Sequence, residues 1–441
     1  MQFIPQLLFV VAAVAAIVLF AGKAAKIRRN IRLGQDETLG GNSAERWKNV
    51  LLLAFGQKKM FKNPLVAVLH LVVYLGFVII NIEVLEIFID GIFGTHRILS
   101  SVLGGFYPIL INSFELLAAG VWIACAIFLI RRNILKLPRF RKAELNGWPR
   151  SDANYILFTE IILMTLFLTM NAADTLLQQR GAEHYAAHST GNFIISPILH
   201  PLLQGLSDGS LIAIERTCWW LHILGIFAFL NYLPYSKHLH IILAFPNAYF
   251  ARLAPQGKMK NMPAVQKEVL YALQPELAPA DAAPPAKFGA KDVTDLSWRN
   301  LMDAYSCTEC GRCTAACPAN ITGKLLSPRK IMMDTRDRME EIGRNIDANK
   351  GQFVDDGKSL LHDYITTEEL RACTSCNACV EECPVSISPL EIILELRRSL
   401  VMEESNAPQE WNMMFGNIEN NFAPWKFSPD DRDKWAEEMQ N

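Results

Sequence analysis

Cys307-Thr-Glu-Cys310-Gly-Arg-Cys313-Thr-Ala-Ala-Cys317-Pro318 is the stretch that decides how the C-terminal part of this chain folds. Its spacing, C-x2-C-x2-C-x3-C-P, recurs from Cys373 to Pro384. This spacing is typical of bacterial [4Fe–4S] ligation, in which three closely spaced thiolates bind one cluster and the fourth binds its neighbour. It predicts two clusters with exchanged ligands: Cys307, Cys310, Cys313 and Cys383 on one, and Cys373, Cys376, Cys379 and Cys317 on the other.

Two other uses of cysteine fit this pattern less well. A zinc site pairs two C-x-x-C units and would leave the third closely spaced cysteine of each quartet without a role. Disulfides need an oxidising compartment, whereas the charge pattern described below places this region in the cytoplasm. The other two cysteines, Cys125 and Cys218, stand alone in apolar segments and are expected to pack as small hydrophobic side chains.

Outside the cysteine region the composition is that of a membrane protein with a soluble part. Of the 441 residues, 51% are hydrophobic and 20% charged, and 43 Lys and Arg nearly balance 44 Asp and Glu. No segment has the strongly basic polar face of a nucleic-acid binder. The long apolar blocks fall in the N-terminal half, which indicates a membrane domain followed by a soluble one.

Five apolar segments reach the length of about 20 residues that a bilayer requires: about 3–22, 65–91, 107–130, 155–176 and 211–235. No cation precedes the first, so we expect a retained anchor and not a cleaved signal peptide. Loops 22–63 and 131–154 contain ten and seven Lys or Arg, against one each in 92–106 and 177–210. The positive-inside rule then predicts an N-terminus outside and the cysteine-rich domain in the cytoplasm, attached to the cytoplasmic (inner) membrane.

Histidines near two of these segments suggest a bound haem. His70 lies a few residues into the second span and His240 just past the fifth, so both are expected at the same cytoplasmic depth on different helices, as a bis-histidine haem requires. His222 precedes His240 by five helical turns, about 27 Å, which is too far for the same iron. His238 lies two residues before His240 and therefore faces another side of the helix.

The fifth span resembles the cytochrome b subunit of respiratory nitrate reductase and the membrane subunit of methanogen heterodisulfide reductase. The matching stretch runs from Trp220-Leu-His222 to Leu233-Pro234-Tyr-Ser-Lys-His-Leu-His240. The resemblance implies a haem b held by His70 and His240. The sequence departs from the two-haem pattern of these subunits after His70, because Ile80 stands where the second histidine of the span would be. His222 then needs another partner, for which His200 is the best candidate and His96, His184 and His188 are weaker, so the number of haems, one or two, stays open.

Several polar side chains also fall within the spans: Glu83, Glu86, Glu115, Glu160, Asn171 and Asp174. Charges at such depth are costly and usually mark paths for protons or ligands. The alternative is hydrogen bonding between helices or a position near the water interface. A quinone pocket beside a haem would need one such group to exchange protons.

A second resemblance covers about residues 290–441. Leu301-Met-Asp-Ala-Tyr-Ser-Cys-Thr-Glu-Cys-Gly-Arg-Cys313 resembles the iron–sulfur oxidoreductase family, which includes heterodisulfide reductase and the iron–sulfur subunits of anaerobic glycerol-3-phosphate dehydrogenase and glycolate oxidase. It implies an α-helical ferredoxin. We therefore expect an all-α membrane protein: a five-helix transmembrane cytochrome b bundle (1–244), a linker (245–292), a two-cluster ferredoxin domain (293–404) and an acidic docking tail (405–441) with Trp411, Trp425 and Trp435.

Members of that family with a catalytic half continue into CCG modules, and no CCG occurs in this sequence. A dinucleotide fingerprint, a P-loop and a Ser/His/Asp pattern are also missing from it. The resemblance implies a separate CCG-domain or dehydrogenase subunit as partner. We expect an electron-transfer subunit between that partner, two clusters, haem b and the membrane quinone. The alternatives are the membrane subunit of a heterodisulfide reductase-like complex and a membrane-tethered redox sensor.

Overall fold

The computed structural model describes residues 3–187, 190–255, 258–279, 287–426, 428–431 and 433–439. These residues are mainly helical and contain no β-strand, only two isolated bridges, Gln35 with Ser297 and Leu361 with Ile365. The fold is therefore all-α throughout the described ranges.

Five helices are long and apolar enough to cross a membrane, and they coincide with the five predicted spans: α1 (Ile4–Ile31), α2 (Pro64–Phe93), α3 (Tyr107–Leu129), α4 (Trp148–Gln179) and α5 (Asp208–Tyr232). A proline at the first or second position opens each of α1 to α4, where its missing N–H costs no hydrogen bond. The short segment 193–203 forms single turns and does not span, as expected.

The five helices pack as a ring in which α1 contacts α2 and α5, and α3 and α4 complete the circle. Phe9 of α1 lies in the middle, with its ring centroid 5.5 Å from that of Phe88 and 6.0 Å from that of Phe227. Phe114 and Phe167 are also fully buried. In a bilayer such rings stabilise the bundle through close packing, because lipid is as apolar as the bundle interior.

The rest of the chain forms shorter helices: α6 (His240–Phe250), α7 (Pro263–Leu273), α8 (Trp298–Ser306), α9 (Arg312–Ala316), α10 (Pro328–Ala348), α11 (Thr367–Ala372), α12 (Ala378–Glu382), α13 (Pro389–Arg398) and α14 (Gln409–Asn421). Other short helical segments are left unlabelled: Ser43–Asn49, Ile98–Leu103, Glu183–Ala186, His200–Leu203, Pro318–Ile321, Leu360–Asp363 and Lys434–Glu438. Helices α8, α10 and α13 enclose a core that includes Leu301, Ile331 and Ile393, each 0% exposed.

The segment 245–292 is more ordered than a tether. Helix α6 continues through Pro246 to Phe250, and Asn247 donates a hydrogen bond of 2.7 Å to the carbonyl of Val385. Helix α7 follows in the same segment. The apolar residues of α6 pack against the cysteine-rich domain, which is why this part of the segment folds. Residues 280–286, in the Pro/Ala-rich part, lie outside the described residues.

The cysteine-rich domain packs on one end of the bundle, and α1 extends beyond its predicted span to meet it. Asn30 donates 2.9 Å to the hydroxyl of Tyr305, and Lys26 pairs with Asp347 at 2.8 Å. A Cβ on Gly343 would lie 2.6 Å from the Asn30 side chain, so only glycine permits this approach. The basic end of α1 is thus part of the interface with α10.

Candidate functional site

Both cysteine quartets lie in tight loops that lead into a short helix, α9 or α12. The loops turn through residues with left-handed backbone angles: Glu309 (φ 51°), Gly311 (φ 71°), Ser375 (φ 56°) and Asn377 (φ 62°). Such turns direct successive backbone N–H groups inward, which suits an anionic group. The two loops therefore have the same local geometry, as their equal spacing leads one to expect.

The fourth cysteine of each quartet lies with the other quartet. A small cavity is lined by Cys307, Cys310 and Cys313 together with Cys383. Cys317 in turn interacts electrostatically with Cys373 and Cys379. The structure thus brings together the two sets of four that the spacing predicts, although ligation itself stays a prediction.

The thiols need a positive partner to ionise in this setting. Burial raises the pKa of Cys307 and of Cys383 to about 12 each, and iron bound to the sulfur would offset that cost. Among the described residues no three His, Cys, Asp or Glu side chains converge on a single metal ion. In a [4Fe–4S] cube each thiolate binds a different iron, so four cysteines spread around one cavity fit the predicted cluster.

Three histidines meet at the end of the bundle that faces the cysteine loops. His70 interacts electrostatically with His240 and His238, and the rings of His238 and His240 are 5.5 Å apart. The Nδ1 atom of His70 lies 3.0 Å from Oε1 of Gln57, and Nδ1 of His240 donates 3.0 Å to the carbonyl of Lys237. Burial lowers the pKa of His240. In each imidazole of the predicted pair, Nδ1 is therefore held by a hydrogen bond and Nε2 can bind iron. This is the usual arrangement of a histidine ligand.

His222 has no histidine partner of this kind. Its Nδ1 donates 3.0 Å to the carbonyl of Leu163, while Nε2 of His200 lies 3.0 Å from Oγ1 of Thr175. Leu163 and Thr175 are twelve residues apart on α4, a rise of about 18 Å. His200 therefore lies too far along the bundle to share an iron with His222, which corrects the expectation drawn from the sequence.

The weaker candidates lie at the same distant end. His96 approaches Asp174 of α4 at 3.7 Å, and its ring is 5.2 Å from that of His184. His188 lies outside the described residues. The group of His70, His238 and His240 includes the predicted haem pair and lies beside the cysteine loops, where Lys237 binds Glu309.

Sequence reasoning missed a charged bridge between the two parts of the site. Glu309, in the loop between Cys307 and Cys310, has one carboxylate oxygen bonded to Nζ of Lys237 and the other 2.7 Å from Arg336. Burial alone would raise the pKa of Glu309, but Arg336 and Lys237 hold it below its usual value. The Lys237 carbonyl accepts the hydrogen bond from His240. The only signal in the sequence is that Lys237 lies three residues before His240.

Two arginines, also missed, fix the cysteine loops on the bundle. Arg312, beside Cys313, donates 3.0 Å to the carbonyl of Lys59. Arg329 is fully buried, lines the cavity of the first cysteine set, and donates to the Arg139 carbonyl and the Glu144 carboxylate at 2.8 Å each. Single arginines in helical sequence have no recognisable pattern, so only the structure could reveal them.

Fold and site together define a membrane protein with an iron–sulfur electron-transfer domain. Residues 306–387 match a family described as the 4Fe-4S dicluster domain. The probable iron-sulfur-binding oxidoreductase FadF of Bacillus subtilis is 27% identical over 460 residues, covering 98% of this chain and 61% of the relative. No solved structure matches.

Two further relatives are similar. The EtfAB:quinone oxidoreductase of Syntrophomonas wolfei is 27% identical over 425 residues, 90% of this chain and 54% of the relative. A probable membrane-anchored ferredoxin of Chromohalobacter salexigens is 31% identical over 169 residues, 35% of this chain and 25% of the relative. The chain spans little more than half the length of the first two relatives. These matches support an iron–sulfur oxidoreductase family, as the cysteine motifs implied, and a membrane-anchored electron-transfer protein.

Proposed function

We propose that this chain is the membrane-anchored electron-transfer subunit of a quinone-linked oxidoreductase. The observation on which the proposal rests is the direct packing of the first cysteine loop on the histidine end of the bundle. Glu309 of that loop binds Lys237, whose carbonyl accepts a hydrogen bond from His240. Electron transfer requires the iron–sulfur loop to lie close to the haem ligands, as the contacts from Glu309 through Lys237 to His240 allow. A redox sensor has no such requirement.

The residues divide into two sets by role. Cys307, Cys310, Cys313 and Cys383 would hold the cluster nearer the bundle, and Cys373, Cys376, Cys379 and Cys317 the other. His70 and His240 would hold one haem b. When bound, these groups supply one-electron redox chemistry that the side chains lack. Cys376 is the exposed member of the second set, which favours electron exchange with a partner on that side.

The partner and the lipid-side substrate are inferred from chemistry and from one relative. The name EtfAB:quinone oxidoreductase, given to a protein 27% identical to this chain, supports a membrane quinone as the acceptor or donor. We propose a separate CCG-domain or dehydrogenase subunit as the soluble partner, docked near the acidic tail. The excess of Lys and Arg in the loops on that side supports a cytoplasmic location for the cysteine domain.

Purification in mild detergent tests this proposal. Iron, sulfide and haem are quantified, the protein is reduced with dithionite, and a quinone analogue is added while the haem absorption is followed. Rapid re-oxidation of a b-type haem is the expected result. Iron and sulfide without haem would reduce the proposal to a tethered ferredoxin, and co-purifying subunits would identify the soluble partner or indicate a heterodisulfide reductase-like complex.

A further inference from the structure

The half of the bundle away from the cysteine domain contains a group of buried acids. On α2, Glu83, Glu86 and Asp90 are 1%, 2% and 7% exposed. Their spacing of three and four residues places them on one face of the helix. Glu83 lies thirteen residues past His70, about 20 Å farther along α2. The row of acids therefore runs from the interior of the bundle to the end of α2 at Gly94.

Two acids of this row, Glu86 and Asp90, accept hydrogen bonds from neighbouring groups. Glu86 accepts from the hydroxyl of Tyr107 at 3.0 Å and from the backbone N–H of Leu99 at 2.9 Å. Asp90 accepts from the N–H of Arg97 at 2.7 Å and from Oγ1 of Thr95 at 2.5 Å. Asp90 lies nearest the solvent, because Thr95 is only partly buried and Gly94 is exposed.

Two further acids, Glu115 and Asp174 on neighbouring helices, also accept hydrogen bonds. Glu115 of α3 accepts from Asn171 at 3.2 Å and from the N–H of Ile195 at 2.9 Å. Asp174 of α4 accepts from Arg97 at 2.8 Å and from Gln178 at 2.9 Å.

Glu83 differs from all of these acids. Among the described residues, neither of its carboxylate oxygens has a hydrogen-bond partner, although the side chain is almost completely buried. A buried polar group without a partner costs about 1–3 kcal/mol, and a bare charge costs far more. Such a group calls for a ligand, and for a carboxylate in an apolar bundle the simplest one is a proton.

The charge balance of the group leads to the same conclusion. Five buried carboxyl groups, Glu83, Glu86, Asp90, Glu115 and Asp174, surround one buried guanidinium, Arg97, and one buried imidazole, His96. Arg216 of α5 also interacts with Asp174, but it forms an ion pair with a sixth buried acid, Glu215, and so adds no net positive charge. Full ionisation would leave several uncompensated negative charges inside a membrane, which is prohibitive. The group must therefore hold protons, and Glu83, which has no donor to stabilise its anion, is the member best suited to hold one.

We propose that Glu83, Glu86 and Asp90 form a proton relay, with Glu83 as its inner proton-binding site and Asp90 as its end at the face opposite the cysteine domain. This inference rests on the proposed quinone chemistry. Reduction of a quinone to a quinol takes up two electrons and two protons, and the oxidation of a quinol releases both. Electrons would enter or leave from the cysteine side and protons from the opposite side, so turnover would separate charge across the membrane.

Glu83→Gln tests the inner site, because the amide is nearly isosteric and leaves no buried charge. Glu268→Gln is the control for the substitution itself, since Glu268 is an exposed glutamate on α7, outside the spans and outside this group of acids. Infrared difference spectra of the oxidised and reduced full-length protein are recorded in H2O and D2O. We expect a protonated-carboxyl band that exchanges in D2O, disappears in Glu83→Gln and persists in Glu268→Gln. The inference is overturned if Glu83→Gln retains every such band.

A second measurement tests the relay itself. Removal of a proton-transfer group slows a proton-coupled step by about 100-fold, so haem re-oxidation by a quinone analogue should fall by that factor in Glu83→Gln. The haem spectrum of Glu83→Gln and the rate of Glu268→Gln should stay unchanged. An unchanged rate in Glu83→Gln would reject the relay. If the unmodified protein shows no quinone-dependent re-oxidation, the proposed function fails, whereas the infrared band still shows whether Glu83 binds a proton.

Discussion

The carboxylate of Glu309 contacts the ammonium group of Lys237 across an interface between residues that are 72 positions apart in the chain. Their side chains are 3% and 11% exposed, so the pair is shielded from water. Because Lys237 also orients His240 through its carbonyl, the loop of the first cysteine set and a predicted haem ligand are mechanically coupled.

We expect Glu309→Gln to weaken this coupling. Removing one partner of a buried ion pair leaves an uncompensated charge and costs about 3–5 kcal/mol. Thermal bleaching of the iron–sulfur absorption should therefore occur at lower temperature, and electron equilibration between clusters and haem should slow. In Glu309→Gln the ammonium group of Lys237 keeps only Asp152, at 3.8 Å, as an acidic neighbour. Combining Glu309→Gln with Lys237→Met removes this poorly compensated charge and should recover part of the loss.

The control for that variant is Glu382→Gln. Glu382 pairs with Lys62 at 3.0 Å, with side chains 32% and 41% exposed. Water and salt screen an exposed pair, which therefore contributes little to stability, so the bleaching temperature should barely change. Equal effects of the two substitutions would show that the Glu309 bridge has no special role.

Cys317→Ser tests the exchanged ligation. Because Cys317 lies with Cys373 and Cys379, the second cluster should be lost or converted, while the first keeps its EPR signal. Cys218→Ser, in the membrane bundle, is the control and should leave both signals intact. Loss of the cluster held by Cys307, Cys310 and Cys313 would contradict the exchange.

His240→Ala should abolish the b-type haem spectrum and leave both iron–sulfur EPR signals, because its Nε2 is proposed as an axial ligand. His70→Ala should do the same. His362→Ala, on the surface of the cysteine domain beside Glu404, should leave the haem unchanged. An intact haem spectrum in His240→Ala would remove that ligand assignment.

Gly311→Ala should destabilise the first cluster. Gly311 has φ 71°, and a Cβ there would lie 2.4 Å from Arg329. Gly323 has φ 85° but nothing within 4 Å of an added Cβ, so Gly323→Ala imposes only the backbone cost of about 1–2 kcal/mol. Iron content and EPR of the two variants should differ, and equal iron loss in both would show that the contact with Arg329 is unimportant.

Local patterns in the sequence predict much of the fold. The five spans follow from hydropathy, and helices α1, α2, α3, α4 and α5 confirm them. The extension of α1 to Ile31 was not predicted, because its last turns are polar and are stabilised by α10, through contacts between residues more than 300 positions apart.

The candidate site was predictable only where its residues form motifs. The cysteine sets follow from spacing, and His70 and His240 from their positions at the ends of spans. The position of His200 depends on how residues 193–203 fold back onto Thr175, which hydropathy does not determine. Glu309 and Lys237 belong to no pattern, since their pairing arises from the packing of one domain on the other.

The contact between Asn30 and Gly343 also bears on the order in which the molecule is assembled. The first helix leaves the ribosome roughly 300 residues before the glycine that receives it, so its lower turns stay in water until α10 has folded. A chain whose cysteine-rich domain fails to mature would keep those turns exposed. Cellular proteases could recognise that exposed end, so that chains lacking their iron would be removed before they accumulate in the membrane.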